Sequence, residues 1–82
     1  MAEYETEQVP ITKVKVGNKI FVQGYLFEVK KVWTEVDDGV LVLRFECDGV
    51  KGDRCPPAGY TDGITLGGRY DLRMEVLVER DF

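Results

Sequence analysis

From Ile11 onward apolar residues recur with a period of two rather than 3.6. The clearest run is Tyr70-Asp71-Leu72-Arg73-Met74-Glu75-Val76-Leu77-Val78-Glu79. There Tyr70, Leu72, Met74, Val76 and Val78 fall on one face, and Asp71, Arg73, Glu75 and Glu79 on the other. That is the signature of a half-buried strand, because successive side chains of an extended chain point to opposite faces. Leu41, Leu43, Phe45 and Cys47 alternate in the same way. Leu77 is the apolar exception on the charged face of the 70–80 run. No segment carries a convincing helical period. The best place for a single helical turn is Pro56–Tyr60.

Turn chemistry cuts this pattern into short pieces. Gln23-Gly24 separates Ile20–Val22 from Leu26–Val32, and Asp38-Gly39 separates Leu26–Val36 from Val40–Cys47. Asp-Gly between alternating runs is a strong hairpin signal, since both central residues of a tight hairpin turn need positive φ. Asp48-Gly49 and Gly52-Asp53 end that strand. Asp62-Gly63 and Gly67-Gly68 bracket the short Ile64-Thr65-Leu66, with Gly67-Gly68 read as a turn. Lys30-Lys31 breaks the alternation. Phe27 and Val29 share a face, and a β-bulge near Lys30 brings Val32 into phase with them and bends the sheet.

Eighty-two residues make one small domain with a modest core. Phe21, Phe27, Trp33, Phe45 and the β-branched residues are the expected core. Each large side chain contributes roughly 2–3 kcal/mol before conformational entropy is subtracted. The first ten residues carry Glu3, Glu5 and Glu7 and no base, and read as a flexible acidic arm, residues 1–10, ahead of a single β domain, residues 11–82. Setting those three glutamates aside from 15 acidic residues against 11 basic leaves the body near −1. Such a body lacks the bulk positive field of a non-specific nucleic-acid binder.

Several chemistries are excluded or disfavoured by composition. The chain has no His and no Ser. It therefore lacks the commonest general base, the commonest transition-metal ligand and any serine nucleophile. Cys47 and Cys55 are too few to fill a tetrahedral zinc site without histidine. They read either as a disulfide across the Asp48–Arg54 loop or as two reduced thiols, one in the core and one in a loop. The carboxylates Glu35, Asp37, Asp38, Asp48 and Asp53 fit hairpin-turn chemistry, and their spacing does not match a calcium loop. No catalytic residue, cofactor-binding residue or metal ligand is assigned, and no enzyme activity is expected. No run of 18 apolar residues and no secretory signal is present, so no membrane contact and a cytoplasmic location are expected.

Two surfaces remain as functional candidates. The tyrosines Tyr4, Tyr25 and Tyr60, together with Leu77, are candidate partner-binding residues. Tyr25 and Tyr60 sit in or beside turns, next to Pro56-Pro57, where they can border a groove for a peptide. The 70–80 strand, with Leu77, is expected to be exposed and to add to a neighbour's sheet. The alternative surface is nucleic-acid binding by the basic segment 11–33. It would use Lys13, Lys15, Lys30 and Lys31 with Tyr25, the cations neutralising the backbone and the aromatic stacking on bases.

The stretch Val16-Gly17-Asn18-Lys19-Ile20-Phe21-Val22-Gln23-Gly24-Tyr25-Leu26-Phe27-Glu28-Val29-Lys30-Lys31-Val32 resembles a pattern found in small SH3-like barrels of bacteria and phages, head–tail joining components among them. In that pattern a Val-Gly-Asp-like corner leads a strand, a short turn follows, and a hydrophobic-x-Val-x-x-Val strand returns. This chain has Asn18 where Asp is usual. The resemblance spans Val14–Val32 and implies fold rather than function. An OB-like barrel competes, disfavoured by the lack of a helix between strands. The expectation is thus an all-β chain: a small SH3-like, partly open barrel of five or six antiparallel strands behind a flexible acidic N-terminal arm. Its expected role is a non-enzymatic protein-binding or assembly module for another protein or its own copies. A homo-oligomer and a phage-type structural or host-interaction role, in host cytoplasm or virion, are versions of it.

Overall fold

The computed structural model describes residues 5–78. Six strands account for most of them: β1 (Thr6–Pro10), β2 (Lys19–Val22), β3 (Tyr25–Asp37), β4 (Val40–Gly49), β5 (Ile64–Arg69) and β6 (Arg73–Leu77). All pairings are antiparallel, in a single sheet of order β1-β6-β2-β3-β4-β5. The all-β reading and the strand count therefore hold. The sheet is not closed into a barrel. Its terminal strands β1 and β5 share no ladder. The chain beyond β5 meets the start of the domain through the Ile11 N–H, which donates to the Leu72 carbonyl at 3.0 Å.

Both expected hairpins form where the turn residues stand. Val22 pairs with Tyr25 across Gln23-Gly24, and Asp37 pairs with Val40 across Asp38-Gly39. Both turns have positive φ at their two central residues, the geometry that matches strand twist. The bulge also forms. The β3–β4 register shifts between Val29 and Lys31, leaving Lys30 unpaired, after which Val32 faces Phe45. Ile11, Ile20, Phe27, Val29, Phe45 and Cys47 form the centre of the core, with Val14, Leu43 and Val76 around them. Phe21 and Trp33 are only half-buried, because Phe21 alternates with core-facing Ile20 and the bulge turns Trp33 to the face of Arg44.

Four expectations are corrected. The loose arm does not extend to residue 10, since Thr6–Pro10 pairs along its length with β6 and Val9 packs on the core. The 70–80 run is not an exposed strand. Its ordered ladder is β6, which lies between β1 and β2, so both of its backbone edges are engaged. The helical turn lies at Ile11–Lys13, where the Val14 N–H donates to the Ile11 carbonyl at 3.2 Å and Ile11 plugs the core. Pro56–Tyr60 instead holds a tight turn, with Tyr60 N–H on the Pro57 carbonyl at 3.0 Å. Finally, Gly67-Gly68 is inside β5, opposite Arg44 and Leu43. Glycine is required there because β5 crosses β4 so closely that a Cβ on Gly67 would meet the Leu43 carbonyl.

Candidate binding groove

The segment between β4 and β5 is fastened back onto the sheet by its own polar groups. Leu26 N–H donates to the Arg54 carbonyl at 2.8 Å, and Val50 N–H donates to the Leu26 carbonyl at 3.0 Å. The Gly49 N–H reaches the Thr61 carbonyl at 2.8 Å, and Gly63 N–H donates to Asp48 Oδ1 at 2.9 Å. Pro56 fills the space above Gly49, where a Cβ would stand 2.6 Å from Pro56 Cγ. Asp48 thus serves loop geometry rather than acid–base chemistry.

That arrangement brings Pro56, Pro57 and Tyr60 over one end of the sheet's inner face. Tyr25 comes from the other side: the Gln23-Gly24 turn sets it as the first residue of β3, on the same face as Phe27. Between them lies a groove of about 360 Å³ lined by Val22, Gln23, Tyr25, Phe27, Pro56, Pro57, Tyr60, Ile64 and Leu66. Phe27, Ile64 and Leu66 form an apolar floor continuous with the core. Tyr25 is 39% and Tyr60 59% exposed, so their rings stand at the rim. None of the lining residues is charged. The groove offers ring faces, proline edges, two phenol hydroxyls and one amide, and no general base or nucleophilic thiol.

The sequence-derived candidates divide accordingly. Tyr25 and Tyr60 are brought together with Pro56-Pro57, as their turn positions implied. Leu77 is half-buried and pairs with Thr6; it lines a different depression, of about 510 Å³, with Lys13, Lys15 and Glu7. Tyr4 lies outside the described residues. The basic set is not assembled. Lys30 Nζ is 3.3 Å from Glu28 and Lys31 Nζ 3.7 Å from Glu46, while Lys13 and Lys15 border the second depression and Tyr25 the first. Val22, Ile64 and Leu66 were not identifiable as groove residues from sequence, because their alternation marks them simply as core-facing, and Gln23 read only as a turn residue.

Both cysteines are free. Cys47 is fully buried on the inner face, and burial, reinforced by Asp48 and Glu46, pushes its thiol from an ordinary 9.0 up to about 11. It is a packing residue, not a poised thiolate. Among the described residues no three metal-ligating side chains cluster, and no helix is long and apolar enough to cross a membrane. No protein-family model, curated protein or solved structure matches the chain.

Proposed function

We propose that this chain is a protein-binding module that holds an extended, uncharged apolar segment of another protein in the Tyr25–Tyr60 groove. The observation that carries the reading is the lining itself: two half-exposed tyrosines and two prolines over an apolar floor, without a single charge. A charged ligand would lose its hydration there with nothing to offset the loss. An apolar side chain gains roughly 1.5–3 kcal/mol on burial, less its ordering cost. The phenol hydroxyls and the Gln23 amide supply hydrogen bonds at the rim, where an extended backbone has free carbonyls.

Strand β5 adds a second source of affinity. It ends the sheet, and among the described residues its outer backbone groups have no partner strand. Ile64 and Leu66 of β5 line the groove. A segment added along this edge would direct alternate side chains toward the groove while its backbone pairs with β5. This moves strand addition from the 70–80 run, which is interior, to β5.

The test is selection from a displayed random peptide library, followed by mapping of amide shifts with a selected synthetic peptide. The expected result is enrichment of uncharged apolar peptides that shift Val22, Tyr25, Tyr60, Ile64 and Leu66. Tyr60→Ala or Tyr25→Ala should then weaken binding about tenfold or more. Shifts confined to other faces, or affinity untouched by both substitutions, would overturn the reading. So would salt-sensitive binding of single-stranded nucleic acid that is lost in the Lys30→Glu, Lys31→Glu double variant.

A further inference from the structure

The open sheet ends in two edges, β1 and β5, and they are finished differently. Along β1 the Glu5 carbonyl accepts the Val78 N–H at 2.8 Å, and the Ile11 N–H reaches the Leu72 carbonyl at 3.0 Å. Odd-numbered residues of β1 therefore face β6, and the backbone groups of Thr6, Gln8 and Pro10 turn outward. Pro10 has no N–H to offer. The Gln8 carbonyl is capped by Arg73 Nη2, which donates to it at 3.1 Å. A proline and a cation over the outward groups are devices that shield an edge from further strands.

Strand β5 shows neither device. The Gly49 N–H points to the Thr61 carbonyl, so odd-numbered residues of β4 turn toward β5. Cys47 pairs with Ile64 and Phe45 with Leu66. Those pairs exchange the ladder bonds, and the intervening Thr65 and Gly67 direct their backbone groups outward. Both residues are exposed. The outward window is closed at its two ends. The Gly63 N–H is held by Asp48 Oδ1 at 2.9 Å, and the Arg69 carbonyl accepts the Leu72 N–H at 3.1 Å. Within the window Thr65 and Gly67 each keep an N–H and a C=O without a partner among the described residues. They alternate with Ile64 and Leu66, whose side chains line the groove.

We infer that the partner held in the groove is a β-strand that pairs antiparallel with β5 and with β5 alone. The inference rests on the groove reading and adds a register to it. The first residue of the added segment stands opposite Gly67, the second opposite Leu66, the third opposite Thr65 and the fourth opposite Ile64. The first and third exchange N–H and C=O with β5. The second and fourth share the face of Leu66 and Ile64 and send apolar side chains into the groove. An extended partner fits because the outward groups recur every second residue, the repeat at which a strand presents its own. A helix has already spent its backbone groups internally. Every pair in the sheet is antiparallel, and that pairing is the more stable per residue. The other edge is refused because Arg73 and Pro10 cover it.

The probe is the tightest synthetic peptide recovered from the displayed library, titrated as single N-methyl and single alanine variants. N-methylation should weaken binding about tenfold at two positions spaced two apart. Alanine should weaken it about tenfold or more at the alternate positions. Hydrogen exchange gives a readout that needs no variant of the protein. The Thr65 and Gly67 amides should exchange freely in the free chain and slow about tenfold or more in the complex, while Ile64 and Leu66 are already protected by β4. Gln8→Pro, which removes an outward N–H of β1, should bind like the parent. A peptide weakened by Tyr60→Ala but indifferent to N-methylation throughout would leave the groove reading intact and overturn the strand. Free exchange of the Thr65 and Gly67 amides in the complex would do the same. Backbone-sensitive and side-chain-sensitive positions that coincide would overturn the antiparallel register. If no peptide is recovered, both readings fall.

Discussion

Gly67→Ala tests the most specific packing feature of the fold. Gly67 has φ +144°, a region that residues with a side chain occupy at a cost of order 1–3 kcal/mol. An added Cβ would also collide with the carbonyl of Leu43, a backbone atom of the interior strand β4 that cannot swing aside as a side chain would. Displacing packed backbone costs a further ~1–3 kcal/mol. The two effects together amount to roughly 2–6 kcal/mol, against a total of about 4–12 kcal/mol for a domain of this size. The melting temperature should fall by roughly 10–50 °C, at about 4–8 °C per kcal/mol. The control is Gly63→Ala, with φ +61° and Glu46 Oε1 as its nearest neighbour at 3.9 Å. There an alanine pays only the left-handed penalty of roughly 1–2 kcal/mol. Urea unfolding followed by fluorescence of the single tryptophan, Trp33, measures both. If Gly67→Ala costs no more than Gly63→Ala, the close crossing of β5 over β4 is refuted.

Removal of residues 1–10 should destabilise the domain by at least about 1–2 kcal/mol, since it deletes a ladder with β6 and the Val9 contact with the core; an unchanged urea midpoint would restore the loose-arm reading. Cys47 predicts an alkaline effect whose sign follows from its raised pKa. Between about pH 9 and 11 the folded state holds a proton that the unfolded state has lost, so this contribution is fully present below pH 9 and declines as pH rises through about 11. The parent chain should lose stability across that window more steeply than Cys47→Val, and parallel curves would argue against a buried neutral thiol. At pH 8 a thiol reagent should label Cys55 readily and Cys47 only after unfolding.

Local chemistry made much of the β architecture readable. Asp38-Gly39 was legible as a hairpin turn because Asp and Gly accept two successive positive φ values, and Gln23-Gly24 because Gly24 interrupts two alternating runs. The Lys30 bulge was legible because two adjacent lysines cannot both satisfy a period of two. The groove was half legible: tyrosines beside turns and a Pro-Pro pair pointed to Tyr25 and Tyr60, while Ile64 and Leu66 looked like ordinary core. Leu77 and the lysine set are not gathered at the groove, for a reason the sequence could not show. Alternation assigns a residue to a face, but it does not say which strand lies beside it or which carboxylate stands within reach of Lys30 or Lys31.

Period, turn residues and the absence of His and Ser are properties of neighbours in the chain. From them follow an all-β fold, its two tight hairpins, its bulge and the poverty of catalytic groups. Strand order is a property of partners far apart in the chain, and no local rule contains it. Thr6–Pro10 is a strand because β6 lies beside it, and the 70–80 run is interior because β1 and β2 flank its ordered part. Gly67 must lack a side chain because β4 passes beneath it. Tyr25 and Tyr60 share a groove because Pro56 settles onto Gly49 and carries the intervening loop across the inner face.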